Sequence, residues 1–144
     1  MERILPALKA TAEPTRLRIL GVLREIELTV SELCRVLAQS QPRVSRHLRL
    51  LCDAGLLERH AEGTSAFYRL TTDGEARILV ETILDLVDPA DPQLARDAER
   101  LAAVRTERAR AAADYFEAIA SDWDRLRSLH VADNEVERAI LAAA

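Results

Sequence analysis

A mainly α-helical fold with one small β-hairpin and a long C-terminal helix is predicted by three features. Apolar residues recur at helical spacing through most of the chain, which is rich in Ala, Leu and Arg and only 3% aromatic. Prolines stand at the head of two such segments, at Pro14 and Pro42, where a missing backbone N–H costs nothing. Between residues 57 and 70 the period changes from helical to alternating.

The elements follow in order. "RILPALKATAE" places Ile4, Leu5 and Leu8 on one helical face. Pro14 opens a second helix, "PTRLRILGVLRE". Its Leu17, Ile19, Leu20, Val22 and Leu23 are apolar, and Arg16, Arg18 and Arg24 are expected outward or at the ends. "TVSE" is a capping box: Thr29 caps the next helix and Glu32 reaches back three residues. Val30, Leu33, Val36 and Leu37 then supply an apolar face ending near Ala38. Gln39 and Ser40 turn the chain. Ser40 or Gln41 caps a new helix with Pro42 at its first position, and Val44, Leu48 and Leu51 form an i, i+4, i+7 stripe flanked by Leu50. Gly55 stops it.

"LLERHAEGTSAFYRL" reads as a hairpin around Glu62–Gly63–Thr64, with Leu57, Arg59 and Ala61 alternating with Glu58 and His60. A further helix runs from Thr72 or Asp73 to about Asp88, with Ile78, Ile83, Leu84 and Val87 apolar. "DPADP" breaks it, since each proline forces its predecessor out of helical space. A long helix follows, from Gln93 to about Ala120, and one more short helix is expected after Asn134. In the long helix Leu101 and Ile119 are expected to face a second copy. Tyr115, Phe116 and Trp123 are read as packing residues, a small-molecule pocket being the alternative.

Helix, tight turn, capped helix, hairpin is the order of a winged helix-turn-helix. The division expected is a DNA-binding domain over residues 1–88 and a helical extension over 89–144, for dimerisation or as a linker.

Composition narrows the function. No run of 18 apolar residues exists, so no transmembrane helix is expected. The start, "MERILPALKA", lacks the apolar core of a signal peptide, so a cytoplasmic protein is expected. The net charge of −4 hides an asymmetry: residues 1–70 hold 11 Lys/Arg against 8 Asp/Glu, and residues 71–144 hold 9 against 16. Asp and Glu are absent from residues 40 to 52. A helix that reads DNA must root one side in the core and present its leading residues to base edges. In "SQPRVSRHLRLL" Val44, Leu48 and Leu51 are the root. The DNA-contact candidates are Ser40, Gln41, Arg43, Val44, Ser45, Arg46, His47 and Arg49, with Arg59, Gly63 and Thr64 on the wing and Arg69 near enough for a backbone contact. Arg can fork onto phosphate or guanine, and Gln can pair with adenine. A charged helix face is more often plain solvated surface; the missing acids and the element order favour double-stranded DNA.

The runs "LKATAEPTRLRILGVL" and "SQPRVSRHLRLLCDAGLL", with the hairpin after them, closely resemble the winged-helix repressors of the ArsR/SmtB family. The resemblance covers roughly residues 5–88. It implies a homodimer on an imperfect palindromic operator, released by an inducer, with the first helix and the helix after the wing at the dimer interface. Many members sense metals or arsenite through cysteines in "ELCVCDL". Here residues 27–33 read "ELTVSEL", so Thr29 and Ser31 replace the thiols, and hydroxyls are poor ligands for soft ions. Residues 72–88 carry no His for the family's other site. No metal and no cofactor are expected, and the inducer is expected to be a non-metal small molecule. Cys34 and Cys52 are small, partly buried residues or a redox pair. Residues 113–141 resemble the entry segment of methyltransferases fused behind such domains, but no glycine-rich cofactor loop follows. The chain is therefore expected to be a transcriptional regulator, not an enzyme, and most simply a repressor. The alternative is the N-terminal regulatory part of a fusion lacking its catalytic domain.

Overall fold

The structure is a computed structural model describing the backbone of residues 1–143 and the side chains of residues 1–127. His130 falls outside the described side chains. Two units emerge, Met1–Val104 and Arg105–Ala144.

In the first unit, helices α1 (Ile4–Thr11) and α2 (Pro14–Leu23) lead into a two-residue strand, β1 (Leu28–Thr29). Helices α3 (Val30–Leu37) and α4 (Gln41–Asp53) follow, then β2 (Leu57–Glu62), β3 (Ser65–Leu70) and α5 (Gly74–Leu86). Helix α6 (Pro92–Ala143) begins here. The sheet has the order β1-β3-β2, all antiparallel. β1 carries no signature in the sequence. Two residues are too few for alternation to show, and Leu28 enters the sheet because it is fully buried opposite Tyr68.

Local chemistry explains most boundaries. Glu13 caps α2 by accepting from the Arg16 N–H at 2.8 Å. The capping box is present at α3: Glu32 N–H donates to Thr29 Oγ1 at 3.3 Å, and Thr29 N–H donates to Glu32 Oε1 at 2.9 Å. α4 ends in a Schellman turn on Gly55 (φ 77°), with Leu56 N–H reaching the Leu51 carbonyl and Gly55 N–H the Cys52 carbonyl. The hairpin loop is two residues, Gly63 and Thr64, and glycine supplies the positive φ at its first position. The core draws Ile19 and Leu20 from α2, Leu33 and Val36 from α3, the α4 root, Leu56, and Val80 from α5, all fully buried.

Two expectations change within this unit. Arg18 does not point outward. Its Nε and Nη2 donate to the two oxygens of Asp97 on α6 at 2.8 Å each, and Nη2 also donates to the Leu37 carbonyl at 2.9 Å. The Asp97 hydrogen bonds hold the Arg18 guanidinium above its usual pKa. Gln93 Nε2 donates to Asp97 at 3.1 Å, and Arg100 donates to the Val36 carbonyl at 3.3 Å. Leu101 is the second correction. It is buried with Val104 inside this unit, so it packs within its own chain and is not available to a second copy.

In the second unit the chain is helical from Arg105 to Ala143. The expected stop near Ala120 and restart after Asn134 do not occur, because no Gly or Pro follows Pro92 to break the pattern. Tyr115 and Phe116 stack edge-to-face at 5.9 Å, yet they and Trp123 are each more than 60% exposed. These aromatics therefore do not pack into a core.

Candidate nucleic-acid interface

Helix α4 is two-sided. Val44, Leu48 and Leu51 have no exposed surface. Val44, named above also as a contact, is thus root alone, since a buried side chain cannot reach a base edge. On the other side Ser40, Gln41, Arg43, Ser45, Arg46 and Arg49 are exposed together. The leading turn is open: Ser40 is the N-cap by backbone geometry, but its hydroxyl makes no capping hydrogen bond. Gln41 is the first helical residue, so Pro42 stands second, not first. The missing proline N–H still falls among donors that lack a helical partner.

None of Arg43, Arg46 and Arg49 has a carboxylate partner among the described residues, whereas Arg18, Arg24, Arg69 and Arg77 all do. Unpaired guanidiniums beside an uncapped helix start make a surface suited to phosphate and to guanine edges.

His47 departs from this face. It is half-buried against α2, with Nδ1 3.3 Å from Arg16 Nη1 and 3.9 Å from Glu13 Oε2. Burial pushes the imidazole below its ordinary pKa; Glu13 pulls it up, and Arg16, Arg43 and Arg46 push it further down. Neutral His47 can accept from Arg16 through Nδ1. The imidazole so braces the reading helix against α2. Arg16 adds a second tie, donating through Nε to the Ala10 carbonyl at 2.6 Å.

On the wing, Gly63, Thr64 and Arg59 are exposed, and Arg59 has no ion pair among the described residues. Arg69 is held instead: its Nε reaches Glu58 at 3.0 Å and its Nη1 lies 3.7 Å from Glu27. Glu58 also accepts from the Thr72 N–H and hydroxyl, and these bonds, with Arg69, hold its carboxyl below the ordinary range. Arg69 therefore stiffens the base of the wing. His60 stacks on Phe67 at 5.8 Å and meets Glu27 at 3.3 Å.

Cys34 and Cys52 are free thiols, and burial raises the pKa of both, which keeps the thiolate scarce at neutral pH. Thr29 commits its hydroxyl to the capping box. No helix among the described residues is long and apolar enough to cross a membrane.

Comparison with known proteins supports the geometry. Residues 13–59 match the family model described as "Bacterial regulatory protein, arsR family". The chain is similar to the arsenical resistance operon repressor of Escherichia coli, 48% identical over 64 residues, covering 44% of this chain and 55% of that protein. The match thus spans about half the length of that relative. The arsenic resistance transcriptional regulator ArsR1 of Pseudomonas putida is 42% identical over 96 residues, 65% of this chain and 73% of the relative. Among solved structures, HlyU from Vibrio cholerae superposes with a TM-score of 0.54 at 35% identity, over 59% of this chain and 91% of that one. The homodimeric winged helix-turn-helix domain of Mb0332 from Mycobacterium bovis gives 0.52 at 30% identity, over 58% and 80%.

Proposed function

The chain belongs to the arsR family of bacterial regulatory proteins, and on that premise we propose that it is a DNA-binding transcriptional repressor, acting as a homodimer on an imperfect palindrome and released by a non-metal inducer. One observation carries the reading: three arginines without carboxylate partners among the described residues stand on a helix rooted by three fully buried aliphatic side chains. Arg43, Arg46 and Arg49 make the electrostatic contact, Gln41 and Ser45 lie beside them for base edges, and Arg59, Gly63 and Thr64 follow the backbone from the wing.

A second copy of the chain is the natural cover for α1 and α5. Ile4, Leu5 and Leu8 on α1, and Ile78 and Leu86 on α5, are apolar residues left exposed among the described residues. Two copies related by a two-fold axis present two reading helices, which is why a palindromic site is expected.

The test is selection of bound sequences from a random duplex pool, followed by binding measurements across a salt series. Affinity should fall steeply with salt, linearly on a log–log plot, as phosphates release counterions. Binding indifferent to salt, or no enriched sequence, would remove the reading. No observation here favours the alternative of a regulatory segment from a methyltransferase fusion.

A further inference from the structure

Within Met1–Val104, α2, the end of α5 and the first turns of α6 enclose an open-sided cavity of about 700 Å³. That volume is in the range of small-molecule sites. Its walls are chiefly aliphatic: Leu17 and Val22 from α2, Leu84 and Val87 from the end of α5, Leu94 and Leu101 from α6. Ile78 and Leu86, the exposed apolar residues of α5, are not among its walls, so the cavity is distinct from the proposed dimer face.

Gly21 forms part of the floor. A glycine inside a helix costs roughly 0.5–1 kcal/mol against alanine. Packing does not require it here: an added Cβ would meet only Leu84 Cδ2, at an ordinary 3.9 Å, and no positive φ is involved. The missing side chain leaves the space open.

Two further observations give the cavity a chemistry and a connection. Its ionisable lining is four carboxylates, Glu13, Glu25, Asp91 and Asp97, against two guanidiniums, Arg18 and Arg24. Arg24 is met by Glu81 at 2.7 Å and Asp85 at 2.6 Å, and Arg18 by Asp97 at 2.8 Å, so the lining carries more carboxylates than guanidiniums. Arg18 joins the wall to the reading apparatus, because the guanidinium that meets Asp97 also holds the Leu37 carbonyl at the last turn of α3, directly before the turn into α4.

We propose that this cavity is an effector site for a small, largely apolar organic cation, whose occupancy is passed to the helix-turn-helix through the Arg18–Asp97 pair. The proposal rests on the DNA-binding reading above and identifies where its inducer acts. An apolar cation gains from the aliphatic walls and from the surplus of carboxylates, and it competes with Arg18 for Asp97. Loosening that pair frees the Leu37 carbonyl and alters the seating of α4. The cation thus favours a state with lower DNA affinity.

The experiment uses the full chain and an isosteric pair of probes, tetraphenylphosphonium and tetraphenylborate, which differ in the sign of the charge. Calorimetry without DNA should show saturable binding of the cation and much weaker binding of the anion. Gly21→Leu, which fills the floor, should weaken cation binding roughly tenfold. Ala98→Phe, at an exposed position on the α6 wall, should do the same without threatening the fold. Saturating cation should then weaken binding to the selected duplex by about fivefold or more, with unchanged sedimentation of the free protein. Equal binding of both probes, cation binding untouched by both substitutions, or cation binding without effect on DNA affinity would each overturn the proposal. So would cation-driven loss of a dimer, which would show that a second copy fills the cavity. Normal DNA binding with no cation binding sinks the cavity proposal alone. Absent DNA binding sinks the regulatory reading, while the calorimetry still decides the cavity.

Discussion

Asp97→Ala should be among the most damaging single substitutions in the first unit, although Asp97 lies more than forty residues beyond the reading helix. Its side chain is 4% exposed and accepts two 2.8 Å hydrogen bonds from Arg18 and a third at 3.1 Å from Gln93. Removing one member of a buried ion pair strands the other charge, at a cost of about 3–5 kcal/mol. Arg18 is itself 13% exposed, so water can reach the guanidinium once Asp97 is gone. The lower end therefore applies, ~3 kcal/mol, or roughly a hundredfold in the folding equilibrium. Replacing both partners by aliphatic residues, Arg18→Met with Asp97→Leu, removes the stranded charge and should bring the loss back within about 1 kcal/mol of the parent. Urea unfolding followed by circular dichroism measures all three proteins, with the slope checked for constancy. A single-variant loss below ~1 kcal/mol would show that the pair does not tie α6 to the core. A double variant as unstable as the single would show that charge burial is not the reason.

Further outcomes follow from the same geometry. Arg46→Ala should cost about 1–3 kcal/mol of affinity, on the selected sequence only if it reads a base and on every duplex if it meets phosphate alone; fluorescence anisotropy on two duplexes separates these, and no loss on either refutes the placement of α4. His47 has a folded pKa below the ordinary value, so its contribution to stability is complete above about pH 6.5 and is lost as pH falls through the lowered folded pKa. The drop in urea midpoint between neutral and mildly acid pH should therefore shrink in His47→Gln; an unchanged drop would assign it to other groups. Gly55→Ala should cost about 1 kcal/mol by thermal unfolding. A built Cβ there meets nothing within 4 Å, so the cost is the left-handed backbone alone, and an unchanged melting temperature would contradict it.

The helices and the hairpin were readable because their determinants are local. The capping box, the Val44–Leu48–Leu51 stripe and the glycines at 55 and 63 each act within a few residues of their effect. His47 was also within reach: it lies one i, i+4 step before the fully buried Leu51, so the same periodicity that found the root marks it as flanking the core. Other features were not legible. The Arg18–Asp97 pair joins residues 79 apart, and no local pattern tells a guanidinium which carboxylate it will meet. Leu101 and Val104 showed an apolar stripe, but the same stripe serves a coiled coil or a core. The continuity of α6 was hidden because Ser, Asp and Asn near residues 121–134 resemble caps, and such residues only stop a helix when the backbone has another bond to make.

The open first turn of α4 has a consequence for anyone who would make this protein sturdier. α2, α3 and α5 each begin with a carboxylate or hydroxyl that accepts from the helix, and α4 does not. Ser40→Asp is the obvious remedy and would add about 1 kcal/mol to the isolated protein. It would also set an anion where the duplex must bring its own. This route to thermal robustness thus runs through a position where robustness and binding oppose each other.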